Sequence, residues 1–150
     1  MTKKFASTYT GIIILLNVIS FLVYLILINV FDESIVVSWV ALQPSLILAG
    51  KNLWTFITSM FMHAGLGHLF VNMISLMFIG SFVEKLIGRK RFLWLYFSGG
   101  LFAGIFFVGI AALTGMDLNV YAVGASGAIF CLGGLLAVLT PKLPVLVFFI

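Results

Sequence analysis

The sequence predicts an all-α fold: a polytopic bundle of membrane-crossing helices. Three observations carry that prediction. Of the 150 residues, 63% are hydrophobic and 8% charged, with a mean hydropathy of +1.30, which is too little charge to cover a soluble surface. Uncharged runs long enough to span as helices recur along the chain. The positive charges sit at the ends of those runs and not within them. Residues 1–150 read as one membrane domain. The sequence pI of about 9.5 has no basic stripe with interleaved aromatics behind it, so no nucleic-acid partner is expected. The single cysteine, Cys131, lies in an apolar run, where no intrachain disulfide can form.

The first span is residues 11–30, roughly twenty uncharged residues, or about 30 Å of helix. Lys3 and Lys4 precede it as a signal peptide's charges would. The run is longer than such a segment and has no small-x-small cleavage site, so it reads as a retained span. Asn17 within it is a candidate to bond a neighbouring helix, and Asn29 falls at the interface. Residues 31–63 form a long connection that stays apolar, with Trp39 and Trp54, but is broken by Gln43, Pro44, Gly50 and Asn52. Its pieces are too short to span and are expected to lie in the interface. Residues 66–83 make the second span and carry His68 and Asn72. Residues 84–91, with Glu84, Lys85, Arg89, Lys90 and Arg91, read as a capped helix end and a solvated charged turn. Residues 92–113 are the third span, residues 114–122 a loop, and residues 124–139 a fourth apolar segment. A fifth begins at residue 143 and stops half-way across, as expected of a chain cut from a longer protein. The basic residues then fall on one side of the membrane, which places the N-terminus in the cytoplasm.

That orientation brings three polar groups to one depth. His68 is near the outer end of the second span. Asn72, four residues on, shares its helix face about 6 Å deeper. Ser126 opens the fourth segment, also from the outside, within Val123-Gly124-Ala125-Ser126-Gly127-Ala128. From Ser126 to Thr140 a helix covers only about 21 Å, so its start is expected below the outer surface. A helix N-terminus there offers unpaired N–H groups to an anion, and Gly124 and Gly127 permit close backbone approach. Each feature also has a plainer reading. Gly124-x-x-x-Ala128, Gly133-x-x-x-Ala137 and Gly100-x-x-x-Gly104 are small-residue packing patterns. His68 and Asn72 suit interhelical hydrogen bonding or an ion pathway, although the third and fourth spans offer no polar path across the membrane. His63 reads as a solvated interfacial histidine. His63, His68 and Asn72 lack the third ligand and the spacing of a catalytic zinc site, so no metal is expected, and no cofactor is indicated.

Taken together, the residues from 53 to about 139 resemble the rhomboid family of intramembrane serine proteases. The resemblance rests on the run from Trp54 through Thr55-Phe56-Ile57-Thr58-Ser59-Met60-Phe61-Met62 to His63. It rests also on His68-Leu69-Phe70-Val71-Asn72-Met73, on Gly80 with Glu84 and Gly88, and on Gly124-Ala125-Ser126-Gly127. It implies a bundle of six core helices with a water-accessible site below the outer surface. Ser126 would be the nucleophile, and His68 and Asn72 would stabilise the oxyanion. His63, Gly124, Gly127 and Phe130 would support them, and the substrates would be transmembrane proteins within the bilayer. The family's serine is activated by a histidine on the sixth span, which is not among these 150 residues. The chain by itself is therefore expected to be inactive and its full-length parent a protease. Phe130 stands where the family often has a tyrosine, and the family's Trp-Arg pair in the first loop is absent. The alternative is a non-catalytic relative that binds transmembrane helices.

Overall fold

The structure is a computed structural model that describes residues 7–141, all helix and loop apart from one isolated backbone bridge. The expectations for Lys3, Lys4, Lys142 and the fifth apolar segment lie outside the described residues. Three rods are long and apolar enough to cross a membrane: α1 (Tyr9–Val30), the continuous helix Leu66–Ile87, and α7 (Arg89–Thr114). The fourth apolar helix, α8 (Ser126–Leu139), has 14 residues.

Helix α1 starts where the Thr8 side chain accepts the Gly11 N–H at 3.0 Å. Ile13, Asn17 and Phe21, spaced by four, form its buried stripe, and most of the remaining surface is apolar and exposed. The amide of Asn17 donates to the Ile13 carbonyl of its own helix at 2.8 Å, and Tyr96 of α7 is its polar neighbour across the interface.

The connection from 31 to 63 folds into three short helices, α2 (Glu33–Val40), α3 (Pro44–Leu48) and α4 (Thr55–Thr58). Asp32 caps α2 by accepting from the Ser34 hydroxyl and from the Ser34 N–H, the latter at 2.8 Å, and these bonds hold its carboxyl below the usual range. Pro44 opens α3 at the position where a missing N–H is harmless. The segment closes on itself. Trp54 Nε1 donates to the Trp39 carbonyl at 2.9 Å with the two rings 5.2 Å apart, and Thr58 Oγ1 donates to Val40 at 2.9 Å.

The rod Leu66–Ile87 consists of α5 (Leu66–Ser75), a π-helical turn (Leu76–Gly80) and α6 (Ser81–Ile87). Its buried positions include Leu69, Asn72, Leu76, Gly80, Val83 and Glu84. The charged turn expected at 84–91 is not there. Helix α6 runs to Ile87, α7 begins at Arg89, and Gly88 alone joins them with φ +84°. Glu84 is not solvated: it is 7% exposed. Its carboxylate accepts from the Tyr9 N–H at 2.9 Å, the Thr10 N–H at 2.8 Å and the Thr10 hydroxyl at 2.7 Å. It therefore caps α1, the helix most distant from it in sequence, and not its own. Arg89 completes the knot. Its Nε is 3.6 Å from Glu84, its Nη2 donates to the Ser7 carbonyl at 2.6 Å, and its guanidinium lies 4.1 Å from the Tyr9 ring centre. Four unpaired donors at a helix start are costly in an apolar setting, and this carboxylate answers two of them.

The most extensive helix contact is between α7 and α8. Small residues permit it: a Cβ placed on Gly99 would collide with Cys131, and one on Gly127 would lie 2.6 Å from the Ala103 Cβ. Gly100 and Gly104 are packing residues too, but their partners are Met60, and Phe56 with Leu42, in the interfacial connection. Phe92, Tyr96, Leu132 and Leu136 fill the core between these helices, with Ile13, Leu76 and Val83 from the other two rods.

Candidate active site

The lateral register of α7 and α8 sets the depth of Ser126. Gly127 is level with Ala103, and α7 continues another eleven residues to Thr114, about 16 Å of helix. Helix α8 thus begins well below the rim of its neighbour. No side chain caps it; Ala125 at its N-cap is fully buried, and the first internal bond runs from the Ile129 N–H to the Ala125 carbonyl. The N–H groups before Ile129 are left free of helical partners.

The segment that descends to this point is stitched to the interfacial connection. Leu42 and Ala122 exchange backbone hydrogen bonds at 3.0 and 2.9 Å, and Ser45 N–H donates to Leu118 at 2.9 Å. Gln43 Nε2 and Ser45 Oγ both donate to Asn119 Oδ1, at 3.2 and 3.1 Å. One step deeper, the Gly124 N–H donates to the Ser59 carbonyl at 2.8 Å. Ser59 was invisible as a site residue in the sequence, because a backbone acceptor has no side-chain signature.

Gly124 adopts φ +111°, and its backbone is pressed against the rod Leu66–Ile87. A Cβ here would lie 2.8 Å from His68 Nε2, 2.9 Å from its Cε1 and 3.7 Å from Asn72 Nδ2. Glycine is required twice, for the backbone angle and for the space. The structure therefore brings His68 and Asn72 together against the residue two before Ser126. Asn72 is 5% exposed, and its amide donates to the His68 carbonyl at 2.9 Å, which leaves the second amide hydrogen uncommitted. Ser126 is half-buried.

The chain belongs to the rhomboid family. A family model described as the Rhomboid domain matches residues 50–150. Among similar proteins, the Rhomboid protease GluP of Bacillus subtilis (strain 168) is 33% identical over 133 residues, covering 87% of this chain and 24% of that protein. The putative rhomboid protease YdcA of the same organism is 34% identical over 87 residues, covering 58% of this chain and 41% of that protein. The inactive RHOMBOID-like protein 8 of Arabidopsis thaliana is 37% identical over 71 residues, covering 47% of this chain and 19% of that protein. The chain thus spans less than half the length of each of these relatives. As a rhomboid it is an integral membrane protein, and its three long apolar helices fit that setting.

The other candidate residues of this rhomboid chain fall at the margins. His63 is fully buried, not solvated as the sequence suggested, and neither ring nitrogen makes a hydrogen bond. Its ring stands edge-on to His68 at 5.1 Å. Burial, then the neighbouring His68, press its pKa down to about 4, against a smaller opposing effect of the Phe61 backbone. Gly127 faces Ala103 and not the histidine. Phe130, one turn along α8, is 78% exposed. Among the described residues no three His, Cys, Asp or Glu side chains gather as metal ligands would.

Proposed function

We propose that the protein containing this chain is an intramembrane serine endopeptidase that cleaves peptide bonds in or beside transmembrane segments of membrane proteins. The observation that carries this reading is the sunken start of α8, with Gly124 seated on His68 and Asn72. Ser126 Oγ attacks the scissile carbonyl carbon and its proton passes to a general base. The tetrahedral oxyanion is met by the Ser126 N–H at the helix start, by His68 Nε2 and by the free amide hydrogen of Asn72. The C–N bond then breaks, the amine leaves protonated, and water hydrolyses the acyl-serine. His68 is assigned to the oxyanion and His63 is fully buried, so the base is assigned to a residue outside residues 1–150. The basic face, with Lys85, Lys90 and Arg91, is assigned to the cytoplasm together with the N-terminus, so the site opens to the opposite side. A helical substrate shields its own backbone, so cleavage requires local unwinding, and substrates with helix-weakening residues near that interface are favoured.

The test incubates the whole protein and its Ser126→Ala variant with a single-span substrate in liposomes. Cleavage by the wild type alone supports the assignment, and equal cleavage by both overturns it. The second reading, a helix-binding rhomboid without protease activity, is favoured by the likeness to the inactive RHOMBOID-like protein 8. It predicts substrate co-purification with no cleavage by either form.

A further inference from the structure

We infer that the cleft between α1 and the interfacial connection is a binding site for one acyl chain of a phospholipid whose headgroup carries an ammonium group. The inference needs only that α1 crosses a membrane and does not depend on protease activity. The cleft holds about 300 Å³. Its walls are Ile19, Val23 and Leu27 of α1 and Val36, Val40 and Ile57 of the connection, with the Ser20 and Thr58 hydroxyls as minor exceptions. The Thr58 hydroxyl is already bonded to Val40, so it asks nothing of an occupant. Ile19, Val23 and Ile57 are each about half-exposed, so the cleft opens sideways.

Length identifies the occupant. From Ile19 to Leu27 the cleft follows α1 for eight residues, about 12 Å, ending one turn short of Val30 where the helix finishes. Half of a bilayer core is about 15 Å deep. The cleft therefore runs from the interface to near the midplane, the course of one acyl chain in that leaflet. Left empty, its walls would lose the dispersion contacts that close packing supplies. Charge identifies the headgroup. Tyr24, about one turn below Leu27, lines the cleft and donates its hydroxyl to Glu33 Oε1 at 2.9 Å; Asp32 precedes Glu33 in the chain and both are exposed. Glu33, tied to the cleft by that bond and with Asp32 beside it in the chain, attracts an ammonium and repels a purely anionic headgroup. The nearest cation in sequence on this side, Lys51, makes no ion pair with them.

The experiment places the full chain in phosphatidylcholine nanodiscs with a trace of phosphatidylethanolamine or phosphatidylglycerol carrying the same photoreactive acyl chain. Adducts are mapped by peptide mass spectrometry. The expected result is adducts concentrated on Val23, Leu27, Val36 and Ile57 over the exposed face of α7 at Leu113. Phosphatidylethanolamine should exceed phosphatidylglycerol by roughly fivefold, the scale of one charge at a membrane surface. Val23→Trp, which fills the cleft, should remove its adducts and spare those at Leu113. Glu33→Gln should reduce the headgroup preference while the adducts remain. Equal labelling of the cleft and of Leu113 would reduce the site to ordinary annular lipid and overturn the inference. Cleft labelling without headgroup preference would overturn the ammonium assignment, and no cleft labelling would overturn the inference.

Discussion

Replacing Gly124 by alanine should uncouple the start of α8 from His68. Two effects follow from one added methyl. The residue sits at φ +111°, where an L side chain stores about 1–3 kcal/mol of strain. The new Cβ would lie 2.8 Å from His68 Nε2 and 2.9 Å from its Cε1, against an ordinary contact of 3.4 Å or more, so the ring must retreat by roughly half an ångström. Ring retreat moves a proposed oxyanion donor off its target. Loss of one such donor costs about 10²–10³ in rate, and small misplacements cost on the order of 10². Cleavage of a single-span substrate by the whole protein should therefore fall about 10²-fold, or about 2.7 kcal/mol in the barrier. The melting temperature should fall only by the few degrees that the strain accounts for. Gly109→Ala is the control, since a Cβ there meets nothing within 4 Å. The reasoning is refuted if Gly124→Ala folds and cleaves within about threefold of wild type while Ser126→Ala is dead.

Two further outcomes test the scaffold. Glu84→Ala should destabilise the chain by about 3–5 kcal/mol in a detergent unfolding titration, because the α1 donors lose a charged acceptor; Glu84→Gln should lose less, and an Ala variant within 1 kcal/mol of wild type would contradict the cap. Acid should weaken the fold through His63: with its pKa held at about 4 against about 6.5 when unfolded, the unfolded chain binds the extra proton between those values. Stability should be full above pH 6.5 and decline as pH falls towards 4, by on the order of 2–3 kcal/mol, and a His63→Phe variant titrated in parallel should show a shallower acid limb.

The spans were legible because lipid demands uncharged runs of fixed length, and residues 11–30, 66–83 and 92–113 announce themselves by that alone. The juxtaposition of His68, Asn72 and the Ser126 segment was also legible, since alternate crossings bring outer ends together. Glu84 was not. Surrounded by lysine and arginine in sequence, it carries every mark of a solvated turn, and its burial depends on partners some seventy-five residues away. His63 failed for a related reason: its burial is a tertiary outcome, with the His68 ring edge-on at 5.1 Å, that its place beside a short break does not announce. Gly124 was legible as a place of close approach, but nothing local named the ring it approaches.

The carboxylate that caps α1 also imposes a schedule on biosynthesis. Tyr9 and Thr10 are made early, and their acceptor is made some 74 residues later. At about 5–20 residues per second, the Tyr9 and Thr10 N–H groups wait roughly 4–15 s for that acceptor. Emergence of Glu84 ends that wait, so the cap of the first helix is completed only on the return of the second.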